Sequence, residues 1–111
     1  MNRRTMRIVI AGAGNVGTFV ARDLSKRGHD VVLIEQHAEV IDSQKQELPD
    51  VNWIKGDACE LYTLDAAVLS SCDVCVAATG DDEDNLVISL LAKQEFAVPR
   101  VVARVNYPDN Q

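Results

Sequence analysis

The stretch RIVIAGAGNVG, residues 7–17, constrains this chain more than any other. A short apolar run, rich in β-branched residues, ends in three glycines spaced G-x-G-x-x-G, and an amphipathic run follows at once. Such spacing means little by itself; between a strand and a helix each glycine acquires a separate task. Gly12 permits the tight turn, and Gly14 lets backbone approach a diphosphate with no Cβ in the way. Gly17 lets the following helix lie close on the strand. Ala13 stands between the first two, and the free N–H groups of the helix's first turn, around Asn15 and Val16, face outward at the positive end of its dipole. A strand, turn and helix of this kind form a cradle for nucleotide phosphates.

The rest of the chain alternates in the same way. Apolar positions at helical spacing (Val16, Phe19, Val20, Leu24) predict a helix over 15–27, stopped at Gly28. VVLIE (31–35) is a continuous run, as a strand buried on both faces requires. A helix over 37–48 ends at Pro49, and VNWIK (51–55) is a third strand. A short helix carrying Leu61, Leu64 and Val68 follows, then a strand at 72–79, a helix at 82–96 and a strand at 100–105. Leu86, Val87, Leu90 and Leu91 are expected on one side of the 82–96 helix. Alternation on this scale implies right-handed βαβ crossovers and an α/β, Rossmann-like, doubly wound parallel sheet. With the glycine turn at the switch point, the strand order is 3-2-1-4-5. One domain over 1–111 is expected, with 1–6 as a flexible start. A six-stranded version needs a further helix and strand, so the sheet is expected to be a shortened one.

Ligands of open parallel sheets sit outside the carboxyl ends of the strands. Glu35 ends the second strand, 18 residues beyond Gly17, where a carboxylate accepts both ribose hydroxyls of an adenosine and repels a 2′-phosphate. Gln36 and His37 follow, with no Arg to receive that phosphate, which favours NAD(H) or plain adenine nucleotides over NADP. The other strand ends are Gly56-Asp57-Ala58, Ala78-Thr79-Gly80 and Ala103-Arg104. Asp57 either receives the adenine amino group or caps the short helix. Ala78, Thr79 and Gly80 are small enough to let a ligand lie against backbone. Arg104 either reaches a ribose or phosphate or pairs with an acid of the run Asp81–Asp84, whose position before a helix also suits capping.

The totals narrow the function further. A net charge of −6 argues against a nucleic-acid surface, and no apolar run approaches the ~20 residues of a membrane helix. Three cysteines, an odd number, fit a reducing compartment, so a cytoplasmic location is expected. Cys72 and Cys75 spell C-x-x-C but fall inside an expected strand, on opposite faces, and read as buried structural residues. His29 reads as a solvated turn residue, and His37 as a histidine without a partner. No nucleophile, general base or metal cluster stands out, so no catalytic or metal residues are assigned.

GAGNVG, Glu35, GDA, ATGDDEDN and ARVNYPDN, in this order, make the chain resemble the N-terminal nucleotide-binding domain of the Trk/Ktr potassium-uptake regulators, also called the RCK or TrkA-N domain. The likeness extends over essentially the whole chain. It implies a regulatory, non-catalytic domain that binds NAD(H), with ADP or ATP as alternatives. It also implies homodimers that assemble into a larger ring under a potassium-translocating membrane protein, at the inner face of the cell membrane. By the same resemblance, Gly12, Ala13, Gly14, Asn15 and Val16 hold phosphates and Glu35 the ribose; Ala58, Ala78, Thr79, Gly80 and Arg104 close the site, with Asp57 near the adenine. Asn15 stands where ATP-responsive members often carry Arg, which leans toward NAD(H) or ADP. The cofactor half of an NAD-dependent dehydrogenase is the alternative reading.

Overall fold

The computed structural model describes residues 5–106. The elements in chain order are β1 (Arg7–Ala11), α1 (Asn15–Lys26), β2 (Asp30–Glu35), α2 (Ala38–Gln44), β3 (Asn52–Lys55), α3 (Leu61–Ala66), β4 (Val74–Ala77), α4 (Asp82–Gln94) and β5 (Arg100–Ala103), with a 3-10 turn at Leu69–Ser71 before β4. The five strands form one parallel sheet in the order β3-β2-β1-β4-β5, as the alternation of patterns predicts.

The register brings the carboxyl ends level. Ala11 sits beside Ile34 on one side and Ala77 on the other, while Glu35 faces Lys55 and Ala77 faces Ala103. Successive side chains of the inner strands go to opposite faces. Val9, Ala11, Val32 and Ile34 join Leu64, Leu69, Ile88 and Ala92 in one core. Ile8, Ile10, Val31 and Leu33 join Ala21 and Leu48 in the other. Each such fully buried branched side chain contributes about 1.5–3 kcal/mol of transfer free energy, so β1 and β2 form the least negotiable part of the molecule.

Several local expectations are corrected. The strands at 72–79 and 100–105 are four residues each, because Cys72 caps the 3-10 turn and the chain turns off the sheet after Ala77 and after Ala103. Helix α2 stops at Gln44, and turns carry the chain on to the buried Leu48. Val68 lies beyond α3 in a left-handed conformation, φ 55°, and with Leu61 it is exposed, so Leu64 is the inward residue of that trio. In α4 the inward stripe is Asn85, Ile88 and Ala92, while Leu86, at 60% exposure, Val87 and Leu90 face outward. Helix α1 likewise buries Gly17, Thr18 and Ala21 and leaves Phe19 67% exposed. Small residues face the sheet because they let the helix axes come close. Met6 is fixed: its N–H donates to His29 Nδ1 at 3.0 Å and its carbonyl accepts the Asp30 N–H at 2.9 Å. Met6 is therefore not part of a flexible start, and residues 1–4, on which the rest of that expectation falls, lie outside the described ones. The same contact gives His29 a partner that the turn pattern did not predict.

Candidate functional site

Each loop leaving the carboxyl edge is tied to its neighbour by one more ladder bond. Gly12 N–H donates to Ile34 O (2.9 Å), Gly56 N–H to Glu35 O (3.1 Å), Ala78 N–H to Ala11 O (2.8 Å) and Arg104 N–H to Ala77 O (2.8 Å). Two of the glycines are there for space. Gly12 has φ +106°, and a Cβ on it would stand 2.9 Å from both Ala78 O and Thr79 N. A Cβ on Gly17 would collide with the Gly12 carbonyl. Gly14 differs: a Cβ there meets nothing within 4 Å, so the position opens on solvent at the start of α1. The N–H groups of Asn15, Val16 and Gly17 precede Thr18, whose N–H donates to Gly14 O (3.0 Å), and they have no partner within the helix.

Glu35 closes β2 with a side chain only 10% exposed. Its Oε1 accepts the Ala13 N–H at 3.0 Å, and its Oε2 accepts the His37 N–H at 3.1 Å and contacts His37 Nδ1 at 2.8 Å. Burial pushes this carboxyl up, but the bonds from Ala13 and His37 outweigh burial and hold it below the ordinary carboxylate value. Glu35 is thus an anion pinned to the glycine turn. His37 has the partner that its lone position in the sequence concealed.

The opposite wall rests on Asn85, 1% exposed. Its Oδ1 accepts the Thr79 N–H (2.9 Å) and the Thr79 hydroxyl (2.7 Å), and its Nδ2 donates to Thr79 O and Arg104 O, both at 3.1 Å. The amide's two donors and two acceptor sites are all used. Asn85 therefore joins the loops after β4 and β5. Asp81 caps α4 through the Asp84 N–H (3.0 Å). Asp82 accepts the Asn106 N–H (2.8 Å) and Nδ2 (2.9 Å); these bonds hold it below its ordinary value, and the Arg104 charge adds to them. Arg104 forms no ion pair with the acids 81–84 among the described residues.

These walls enclose a cleft of about 410 Å3, within the size range of small-molecule sites. The turn contributes Gly12, Ala13 and Gly14; the end of β2 gives Glu35 and His37; the loop after β3 gives Asp57, Ala58 and Cys59; and the far wall gives Ala78, Thr79, Gly80, Asp84 and Arg104. Asn15, Val16 and Gly17 are not among its lining residues, Gly17 being buried beneath the turn. Asp57 Oδ1 accepts the Cys59 N–H at 2.9 Å, so it braces its own turn while standing at the rim.

The thiols are poor nucleophiles. Burial, then the Asp84 and Asp57 charges, push Cys59 up to about 12. Burial raises Cys72 to about 11 and Cys75 to about 12. Both are buried, as expected, but Cys72 lies ahead of β4 and both belong to one core, so the expected placement on opposite strand faces is wrong. Asn85 and the Glu35–His37 pair were missed in the sequence. Their available signals were the stripe 85, 88, 92 at helical spacing and an acid two residues before a histidine at a strand end.

Comparison with known proteins adds the following. The family model of the TrkA-N domain matches residues 8–111. The Trk system potassium uptake protein TrkA of Mycobacterium tuberculosis is 54% identical over 106 residues, covering 96% of this chain and 47% of that protein. A TrkA homolog from Methanothermobacter thermautotrophicus is 42% identical over 106 residues, covering 96% and 48%. Among solved structures, the Kef CTD of Shewanella denitrificans in AMP-bound form superposes with TM-score 0.76 at 27% identity, covering 89% of this chain and 58% of that one. The chain spans about half the length of the curated relatives it matches.

Proposed function

Because the chain belongs to the TrkA-N domain family, we propose that it is a nucleotide-sensing regulatory domain of a potassium uptake system, acting by binding and not by catalysis. The observation that carries this reading is Glu35: an anion at the end of β2, hydrogen-bonded to Ala13 in the glycine turn and facing a cleft of about 410 Å3. A ribose on Glu35 brings its phosphates to Gly12, Ala13 and Gly14 and to the start of α1, where Asn15 and Val16 offer N–H groups. Ala78, Thr79 and Gly80 leave room for the ligand against backbone, Ala58 floors the adenine side with Asp57 at its edge, and Arg104 supplies the positive charge of the far wall.

NAD(H) is the first choice of ligand, with ADP or ATP next, since the Glu35 anion repels a 2′-phosphate. The partner proposed is a potassium-translocating membrane protein of the Trk/Ktr type, which places the domain in the cytoplasm at the inner face of the membrane. Homodimers assembling into a ring in the longer protein provide the moving part. A ligand shifts such an assembly only by its differential affinity for two states, so the signal is the nucleotide that binds those states unequally.

Gly14→Val tests the pocket. Position 14 has free space around its Cβ and an ordinary φ of −79°, so the variant folds, and its side chain fills the diphosphate's place. We expect NADH affinity to fall more than ~100-fold with melting temperature little changed. Unchanged affinity in the folded variant would refute the reading.

A further inference from the structure

The chain leaving β5 is tied down beyond the last ladder bond. The Arg104 N–H donates to Ala77 O at 2.8 Å, and the Arg104 carbonyl accepts Asn85 Nδ2 at 3.1 Å. Val105, next in line, is 59% exposed, so burial does not hold this segment. Asn106 does. Its N–H (2.8 Å) and its Nδ2 (2.9 Å) both donate to Asp82 Oδ1, and Nδ2 also donates to Thr79 O at 3.3 Å. Hydrogen bonds to an ionised carboxylate are roughly twice as strong as neutral ones, which makes Asp82, in the first turn of α4, the main anchor. Neither Asn106 nor Asp82 lines the cleft, whereas Thr79 and Arg104 do.

We propose that Asn106 and Asp82 are positioning residues of the nucleotide site: their clasp fixes the backbone after β5 and thereby keeps the Arg104 guanidinium on the cleft. This rests on the nucleotide-binding reading above. An arginine side chain has many rotamers to lose on binding, so the place of its backbone decides how readily the guanidinium meets a phosphate or a ribose. With the clasp, Arg104 is anchored on both sides. Without it, only the ladder bond and Asn85 remain, and the segment after Arg104 is free to move off the sheet edge. The charge of Arg104 reaches Asp82, yet no ion pair forms with the acids 81–84 among the described residues. Asn106 occupies Asp82 Oδ1 instead, and Arg104 stays with the cleft lining.

The test is calorimetric titration of the whole chain with NADH, ADP and ATP in parallel. It compares wild type, Asn106→Ala, Arg104→Ala and the double variant, each checked for fold by thermal melting. The clasp lies at the surface, so melting temperatures should stay within about 3 °C of wild type. For the nucleotides that wild type binds, Asn106→Ala and Arg104→Ala should each weaken binding about five- to tenfold. The double variant should bind within about twofold of Arg104→Ala alone, because the clasp acts through that side chain. In a Glu35→Ala background the Asn106→Ala loss should persist in full, a difference that a merely structural role would not produce. Asp82→Ala and Asp82→Asn remove the same charge, but only the second keeps an acceptor oxygen. Asp82→Asn should therefore bind about fivefold more tightly than Asp82→Ala. Wild-type affinity in Asn106→Ala, an undiminished Asn106→Ala loss in the Arg104→Ala background, or equal affinities of the two Asp82 variants would overturn the clasp and leave the nucleotide reading standing. No binding of any of the three nucleotides to wild type would overturn both.

Discussion

On the β2 side of the cleft, Glu35 is held by donors at a rim that a ligand can enter, and one of its partners is an exposed, rotatable ring. On the β4 side, Asn85 is 1% exposed and all four of its hydrogen-bonding positions are taken by Thr79 and Arg104. Both are single polar side chains beside the carboxyl ends of the parallel strands, Glu35 closing β2 and Asn85 reaching in from the first turn of α4. One has a side-chain partner that can be exchanged, the exposed His37 ring, so part of its accepting capacity faces the cleft. The other is saturated and buried, so its chemistry is structural: it sets where Thr79 and Arg104 stand. A polar residue beside the strand ends becomes a binding group or a brace according to whether solvent can replace its partners.

The contrast breaks first at Asn85. Asn85→Ala removes the acceptor of the Thr79 N–H and the donor to the Arg104 carbonyl, and leaves the Thr79 carbonyl only its bond from Asn106. We expect a loss of about 3 kcal/mol and a fall in melting temperature of ~10 °C or more. A melting temperature within a degree or two of wild type would show that Asn85 is no brace. Glu35→Ala sharpens the other side. The exposed His37 donors regain water and only the Ala13 N–H loses its acceptor in a buried place, so we expect a smaller stability change. Affinity for nucleotides with both ribose hydroxyls should fall by ~10–100-fold, and 2′-deoxy analogues should lose much less. Equal losses for both ligands would remove Glu35 from the ribose.

Much of the fold is legible in the sequence, because β1 and β2 are continuous apolar runs punctuated by glycine and an acid. Their burial on two faces leaves no second solution. Helix faces are less legible. Hydrophobic size points to Phe19, Leu86 and Leu90, yet the sheet takes Gly17, Ala21, Asn85 and Ala92, since close approach favours small residues and Asn85 is satisfied only by loops distant in sequence. The cleft follows the same division. Gly12, Gly14, Glu35, Thr79 and Arg104 lie at strand ends, where topology alone brings them together. The Glu35–His37 contact depends on side-chain rotamers that no spacing rule specifies. Asn15 and Val16, assigned to the site, flank the cleft without lining it.

We propose that this cleft recognises a nucleotide through an unmodified ribose. Its most direct test is a calorimetric titration of the protein at pH 8 with NADH, NAD⁺, ADP, ATP and NADPH in parallel. We expect saturable binding of at least one of the first four, with NADPH weaker by about tenfold or more because its 2′-phosphate meets the Glu35 anion. No binding by any of the five, or NADPH binding as tightly as NADH, would contradict it.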